Sequence, residues 1–151
     1  MRLDTVSAPM RSFLDSLRHR RQDRRRAALT FEAARGRAEA GARLLDDHDP
    51  GWAARVDPGR LELADGQACV LGQLWGGYRR GLGRSRVLDL SSAPTRFVSP
   101  VDLGFQAVGD LGDAAEALDY AHLTRAWREL VAVRRRVAVR PPQPVPASSR
   151  V

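Results

Sequence analysis

The 151-residue chain contains no lysine, no asparagine, no isoleucine and only one cysteine, Cys69. A single cysteine excludes an intrachain disulfide and a zinc site built from several cysteines. No apolar run approaches the roughly 18 residues that a membrane span needs. The N-terminal region also lacks the apolar core of a signal peptide. These absences predict a cytoplasmic protein in a reducing, intracellular compartment, with no membrane among its partners.

The three missing residue types share AT-rich codons, whereas Arg, Ala, Gly and Pro are abundant. This bias indicates a very GC-rich genome, such as that of an actinobacterium or one of its phages. The choice of Arg over Lys therefore follows codon usage, and only the net charge of +7 and its placement bear on function. The excess positive charge lies in residues 1–40, 79–100 and 131–151. Such patches favour nucleic acid or an acidic protein as partner.

Hydrophobic periodicity predicts a mainly α, small single-domain helical protein with disordered N- and C-terminal ends. Residues 1–26 form a basic flexible arm, residues 27–138 the helical domain, and residues 139–151 a Pro-rich disordered tail. Three helices are expected, at roughly 27–45, 66–82 and 113–138.

The outer two helices have clear apolar stripes. The first stripe consists of Ala27, Phe31, Ala34, Ala38, Ala42 and Leu45, and the second of Tyr120, Leu123, Trp127 and Leu130. Asp113 and Glu116 have the spacing of a capping box at the start of the last helix. Between the helices, Asp49-Pro50, Asp57-Pro58 and Ser99-Pro100 each predict a capped turn or short helix. Trp52 and Val56 would be buried behind the first of these turns.

The segment CVLGQLWGGYRRGLGRSR, residues 69–86, combines a helical apolar period with five glycines. Each glycine costs a helix roughly 1 kcal/mol relative to alanine. Gly72 and Gly76 are four residues apart, as are Gly77 and Gly81. This spacing favours a helix face against which another backbone packs closely, and less strongly a ligand lying on bare backbone.

The run CVLGQLWGGY resembles a motif, C-x-L-G-Q-L-Y/W-G-x-Y, of small uncharacterised proteins from actinobacteria and actinophages. The motif positions are Cys69, Leu71, Gly72, Gln73, Leu74, Trp75, Gly76 and Tyr78. Flanking sequence extends the resemblance to approximately residues 40–136. The resemblance implies an origin and a compact structural unit, and it implies no biochemical activity.

Several residues have an enzymatic or metal-binding interpretation that is weaker than the structural one. Cys69 heads an apolar stripe, so a buried structural thiol is favoured over a nucleophile. His48 lies among acidic residues but lacks ligand spacing, so a solvated turn is favoured. Asp113, Glu116 and Asp119 are typical of a helix N-terminal region, where acids complement the dipole. We therefore expect no catalytic residue, no metal site and no cofactor.

The arginines are the strongest functional candidates. Six arginines between Arg18 and Arg26 could neutralise phosphates, and a solvated or mis-annotated leader is an equally good explanation. The candidate nucleic-acid-binding residues are Arg18, Arg20, Arg21, Arg24, Arg25, Arg26, Arg79, Arg80, Arg84, Arg86, Arg134, Arg135 and Arg136.

Three classes of function follow. The first is a non-enzymatic accessory or regulatory protein that acts by binding, with nucleic acid contacted through the Arg-rich ends. The second is a protein-binding or structural component, such as a phage or plasmid part, in which the basic ends are incidental. A small enzyme ranks last. The sequence does not separate the first two classes, and it leaves the oligomeric state open.

Overall fold

The computed structural model describes residues 8–87 and 98–139. Five α-helices lie wholly within these ranges, and the described residues include no strand. The helices are α1 (Ala8–Ala27), α2 (Phe31–His48), α3 (Val70–Trp75), α4 (Tyr78–Arg84) and α5 (Asp113–Val139), with a 3-10 helix at Trp52–Arg55. The mainly helical, single-domain prediction is confirmed. The predicted tail from residue 140 onward and most of the connector after Arg86 lie outside the described residues.

Helices α2 and α5 pack against each other and form the centre of the core. The buried face of α2 carries Ala34, Ala38, Ala42 and Leu45, as its period predicts. Trp127 of α5 is fully buried between two other rings: it stacks on Phe105 at a centroid distance of 5.3 Å and meets Trp52 edge-on at 5.8 Å. Its indole N–H donates to the Gly104 carbonyl at 2.6 Å, so the polar atom of this large side chain is satisfied. Burial of small α2 residues lets the aromatic cluster approach that helix closely.

The first predicted helix, 27–45, is displaced along the chain. It begins at Phe31 because Thr30 caps it: the Thr30 side chain accepts a hydrogen bond from the Ala33 N–H at 3.2 Å. A capping threonine in extended conformation interrupts the helical period, so Ala27 belongs to α1. At the other end the Asp49 N–H donates to the Leu45 carbonyl, and α2 runs three residues further than expected.

The predicted helix 66–82 is wrong as a single element. Gly76 has φ +79° and ends α3, and Gly77 has φ +154° and precedes α4. Both conformations favour glycine, so these two residues make a turn between short helices. The expected close packing belongs to the other two glycines. A Cβ on Gly72 would lie 2.3 Å from the Gly66 carbonyl oxygen, and one on Gly81 would lie 2.5 Å from the Leu71 Cβ.

The Asp-Pro and Ser-Pro signals produce turns. The chain enters the 3-10 helix through Gly51, and Trp52 and Val56 are buried as predicted. Asp57 accepts a hydrogen bond from the Gly59 N–H at 2.8 Å, which makes a turn without a following helix. The predicted turn after Ser99 is present, because the Phe105 N–H donates to the Pro100 carbonyl at 2.9 Å.

The last helix matches its prediction to within one residue at its C-terminal end. It begins at Asp113, so Asp113 lies inside the first turn and does not serve as the cap. The Glu116 N–H donates instead to the carbonyl of Gly112 at 3.0 Å. The acids at Asp113 and Glu116 still lie at the positive end of the helix dipole, where their charge is favourable.

Candidate nucleic-acid interface

The predicted basic arm is helical from Ala8 onward. Helix α1 spans twenty residues, and every side chain described between Met10 and Ala27 is exposed. The described part of the predicted arm is thus an ordered helix whose whole circumference is accessible.

Three arginines of α1 lie together on one face. Leu17, Arg20, Arg21 and Arg24 line a common shallow depression of about 340 Å³. They are spaced three and four residues apart, which places them on the same side of a helix with 3.6 residues per turn. In the part of the chain that the structure describes, no carboxylate lies within ion-pair distance of these three guanidinium groups. Their charge is therefore directed at solvent.

The two acidic residues of α1 lie at different angles to the arginine cluster. At 100° per residue, Asp15 is about half a turn away from the centre of Arg20, Arg21 and Arg24, whereas Asp23, three residues after Arg20, lies at the edge of that face. Asp15 pairs with Arg18 at 3.7 Å, and both side chains are mostly exposed. Helix α1 thus has one strongly basic face and one mixed face.

The final arginines of the arm attach α1 to the rest of the protein. Arg25 forms two hydrogen bonds with the Asp110 carboxylate, one of them at 2.9 Å. Arg26 donates twice to the Leu111 carbonyl, at 3.2 and 2.9 Å. The hydrogen bond from Arg25 holds the pKa of Asp110 below its usual value. These two residues were candidates for phosphate contact, and the structure instead uses them to hold α1 beside the start of α5.

The arginine cluster near the end of α5 is also largely occupied. Arg134 makes three hydrogen bonds to the Asp46 carboxylate, between 2.8 and 3.0 Å, and its side chain is only 21% exposed. Arg135 donates to the Val56 carbonyl at 3.1 Å. Burial alone would raise the pKa of Asp46, but hydrogen bonds from Arg134 and Trp52 lower it. Only Arg136 of this cluster is exposed and has no polar partner among the described residues.

Four further candidates lie on and after α4. Arg79, Arg80, Arg84 and Arg86 are all exposed, and none forms an ion pair within residues 8–87 and 98–139. Arg86 has φ +60°, a left-handed conformation unusual for a residue with a side chain. These residues lie on a part of the chain separate from α1.

The cysteine-containing motif has structural roles. Cys69 is 1% exposed and caps α3, because its sulfur accepts a hydrogen bond from the Gly72 N–H at 3.3 Å. Burial raises the pKa of this thiol, which opposes thiolate formation. Gln73 bridges two loops: its amide exchanges hydrogen bonds with the backbone of Asp57 and donates to the Ala68 carbonyl.

The apolar residues of the motif pack on the core. Leu71 is fully buried, while Leu74, Trp75 and Tyr78 are partly buried against the core. The Tyr78 hydroxyl donates to Gln106 at 2.9 Å, and burial raises its pKa to about 12. Trp52 and Trp127 are core residues as expected, whereas Trp75 is only partly covered.

Sequence reasoning missed the buried ion pair between Arg37 and Asp119. Asp119 is 0% exposed, contacts the Arg37 guanidinium and accepts a hydrogen bond from the Val108 N–H at 2.9 Å. A signal was present: Asp119 precedes Leu123 by four residues and Ala126 by seven, which places it on the buried face of α5. The prediction explained Asp119 by the helix dipole alone, whereas in the structure its carboxylate is buried and paired with Arg37.

Two further acidic residues also have protein partners. Asp46 binds Arg134 and Trp52, and Asp49 binds Arg55, so two acids of the DDHDP turn stabilise the surrounding fold. No group of three or more His, Cys, Asp or Glu side chains within the described ranges could hold a metal ion. One groove, of about 580 Å³, lies along α5 and mixes acidic Glu62 and Glu116 with basic Arg125 and Arg128.

Comparisons with protein-family models, with curated proteins and with solved structures returned no match for this chain. The resemblance of the CVLGQLWGGY motif to an actinobacterial and actinophage family accordingly stays a prediction. Among the helices that the structure describes, none is both long and apolar enough to cross a bilayer.

Proposed function

We propose that the protein is a non-enzymatic accessory or regulatory factor that binds nucleic acid through the basic face of α1. The observation that supports this most is the cluster of Arg20, Arg21 and Arg24, exposed on one helix face beside Leu17. No internal carboxylate in the described structure neutralises the cluster, unlike Arg25 or Arg134. A phosphate backbone supplies the missing negative charges.

Contacts of this kind recognise the charge of the phosphates and not the base sequence. Arginines that bind phosphates fix a protein on a duplex without reporting the identity of the bases. Helix α1 carries Asp15 on its opposite side, so the face of Arg20, Arg21 and Arg24 is the one that approaches a phosphate backbone with the least repulsion. We therefore propose binding with little sequence preference and a marked dependence on salt. Arg18, Arg79, Arg80, Arg84, Arg86 and Arg136 are secondary contacts in this proposal, whereas Arg25, Arg26, Arg134 and Arg135 belong to the fold.

The number of phosphate contacts sets the salt dependence. With three contacts to duplex DNA, the slope of log affinity against log salt is about −2.7, from about −0.9 per contact. A fourfold rise in salt, from about 50 to about 200 mM, then lowers affinity about 40-fold. A binding titration of the full chain with random-sequence duplex DNA at both salt concentrations measures this slope directly.

Two triple variants separate a local site from bulk charge. Arg20→Ala, Arg21→Ala and Arg24→Ala together remove the α1 cluster. Arg79→Ala, Arg80→Ala and Arg84→Ala together remove the same charge from exposed positions on α4 that form no ion pair with the described residues. We expect the α1 variant to bind at least about tenfold more weakly and to lose most of the salt slope, with a smaller change for the α4 variant. Equal losses would assign binding to net charge, and loss in the α4 variant alone would move the site to α4.

A second candidate is a protein-binding or structural component with incidental basic ends, such as part of a phage or plasmid. The observation in its favour is that Met10, Phe13, Leu14 and Leu17 expose a large apolar surface on α1. Absence of nucleic-acid binding at the lower salt concentration would favour this candidate. The codon bias and the motif resemblance support an actinobacterial or actinophage origin, and the single buried thiol is in keeping with a cytoplasmic location.

An enzymatic role has the least support. The one cysteine is buried with a raised pKa, the opposite of an activated nucleophile. The buried carboxylate Asp119 has its hydrogen bonds taken up by Arg37 and by the Val108 backbone. The proposal is accordingly one of binding and not of catalysis.

A further inference from the structure

The N-terminal half of α1 carries an apolar stripe that the rest of the described protein does not cover. Met10, Phe13, Leu14 and Leu17 are 56%, 64%, 46% and 46% exposed. Their spacing of three, four and seven residues places all four on one helix face. Large apolar side chains clustered in this way mark a surface that another molecule covers. We call Met10, Phe13, Leu14 and Leu17 the apolar stripe.

The apolar stripe and the arginine cluster occupy the same face of α1, one after the other along the helix. Leu17 belongs to the stripe and also lines the depression with Arg20, Arg21 and Arg24. The face is therefore apolar for its first two turns and basic for the next two. The apolar and basic parts of this face are separated along the helix axis and not around it. This separation restricts the kind of molecule that can cover the stripe.

We propose that the stripe is covered by the stripe of a second copy of this chain, with the two α1 helices antiparallel. A two-fold axis near residues 13 and 14 brings Met10 of one copy opposite Leu17 of the other, and Phe13 opposite Leu14. Such an interface is isologous, because the same patch serves on both copies. The helices overlap through their apolar halves, and each basic half extends past the end of the partner's stripe.

Charge separation favours the antiparallel arrangement. In a parallel pair, the arginine clusters of the two copies would lie side by side and repel each other. In the antiparallel pair the cluster centre, near residue 22, lies about 13 Å along the axis from the two-fold, at about 1.5 Å per residue. The two clusters are then about 26 Å apart, beyond the screening length of about 8 Å at physiological salt.

Other occupants fit the face less well. Nucleic acid would satisfy the arginines but would leave the four apolar side chains in water. A helix that lies on an anionic membrane carries its cations beside the apolar stripe along its length. In α1 the arginine cluster follows the stripe, and Arg18, the cation beside the stripe among the side chains that the structure describes, is paired with Asp15.

The small size of the stripe sets the strength of the association. Two turns per copy bury far less than the roughly 800 Å² per partner of a standard stable interface. The dimer is therefore weak and depends on concentration. It also deepens the proposed function, because a dimer presents six arginines where a monomer presents three. The loss of affinity over a fourfold rise in salt then increases from about 40-fold to about 2,000-fold.

Sedimentation equilibrium of the full chain without nucleic acid tests the pairing independently of the proposed function. We expect the average mass to rise from monomer towards dimer with increasing protein concentration. Leu14→Asp places a charge in the interface and should weaken dimerisation about tenfold or more. Leu118→Asp is the matched control, because Leu118 is a similarly exposed leucine, 47%, on α5. A monomer at all concentrations, or equal effects of both variants, would overturn the proposal.

Disulfide trapping tests the orientation. When Met10→Cys and Leu17→Cys proteins are mixed and oxidised, the antiparallel pair predicts a disulfide between positions 10 and 17 of different copies. A parallel pair would instead give products that link position 17 to position 17. The native Cys69 is buried and contributes little background. If the stripe binds vesicles of anionic lipid while the protein stays monomeric, a membrane is the occupant and the proposal is wrong.

Discussion

At the scale of single residues, identical residue types in one motif have different physical roles. Gly72 and Gly81 are required because a Cβ would collide with neighbouring atoms, whereas Gly76 is required for its backbone conformation. A sequence shows the spacing of glycines but not their φ angles. The expectation that all four glycines provide close packing was therefore correct for Gly72 and Gly81 and wrong for Gly76 and Gly77.

Substitution of Gly76 tests this distinction. Gly76→Ala should lower the free energy of unfolding by about 1–2 kcal/mol, because a left-handed conformation is unfavourable for any residue with a Cβ. The nearest atom to that Cβ is the end of the Arg80 side chain at 3.4 Å, so collision adds little. Gly76→Leu should destabilise for the same conformational reason.

The matched control is Gly83→Ala, on the exposed side of α4 with nothing within 4 Å of its Cβ position. This change should stabilise the protein by up to about 1 kcal/mol, because alanine favours helix. Urea denaturation of both variants gives the two free energies. A stabilising effect of Gly76→Ala would contradict the left-handed turn between α3 and α4.

At the scale of helices and turns, the sequence predicts best where one apolar face continues without interruption. Helix α5 was predicted closely, and α2 was displaced only because Thr30 starts a new helix where the Ala-rich pattern runs on. Helices α3 and α4 could not be separated by period, since Val70, Leu74, Tyr78 and Leu82 keep a spacing of four across the turn. Long-range contacts such as Arg134 with Asp46 leave no local pattern at all.

The Arg134–Asp46 contact joins the end of α5 to the end of α2, and it gives a pH-dependent stability. The pKa of Asp46 is lowered in the folded protein, so its contribution is complete above the pKa of the unfolded chain, near 4. That contribution is lost as pH falls through the lower folded pKa. Asp46→Asn should therefore destabilise the protein at neutral pH, and its difference from wild type should shrink under more acidic conditions.

Chemical denaturation of both proteins across this pH range measures the effect. Asp47→Asn is a suitable control, because Asp47 is an exposed neighbour and takes part in no ion pair within the described structure. A difference between Asp46→Asn and wild type that stays constant with pH would show that the carboxylate charge is not what stabilises the contact.

At the scale of the whole molecule, the net positive charge suggests a larger exposed basic surface than the fold offers to an anionic partner. Several arginines donate to backbone carbonyls or carboxylates and so hold elements together: Arg25, Arg26, Arg37, Arg128, Arg134 and Arg135. Composition predicted a basic protein correctly. It could not tell the arginines that bind internally from those that face solvent, because that depends on which loops the fold brings near them.

Two truncations test whether the proposed nucleic-acid interface lies on α1 while the rest of the protein folds without it. Removal of residues 1–24 takes away the basic face of α1 and leaves Arg25 and Arg26 in place. We expect nucleic-acid affinity to fall while the melting temperature changes little, because every described α1 side chain is exposed.

Removal of residues 1–26 also deletes the contacts to Asp110 and Leu111, and it should lower the melting temperature further. Binding titrations and thermal unfolding of the two truncations measure both properties. If the protein that lacks residues 1–24 bound nucleic acid with unchanged affinity, the interface would be assigned to the arginines of α4.

The attachment of α1 through Arg25 and Arg26, near its C-terminal end, allows the helix to act as a lever. Its twenty residues extend about 30 Å, and the recorded hydrogen bonds to the body all lie at one end. A tilt of about 10° at that end would carry the far tip through about 5 Å, by the length of the arm. A force applied at the tip of α1 would therefore act strongly on its contacts with Asp110 and Leu111. These two residues lie immediately before α5, the longest helix of the described structure.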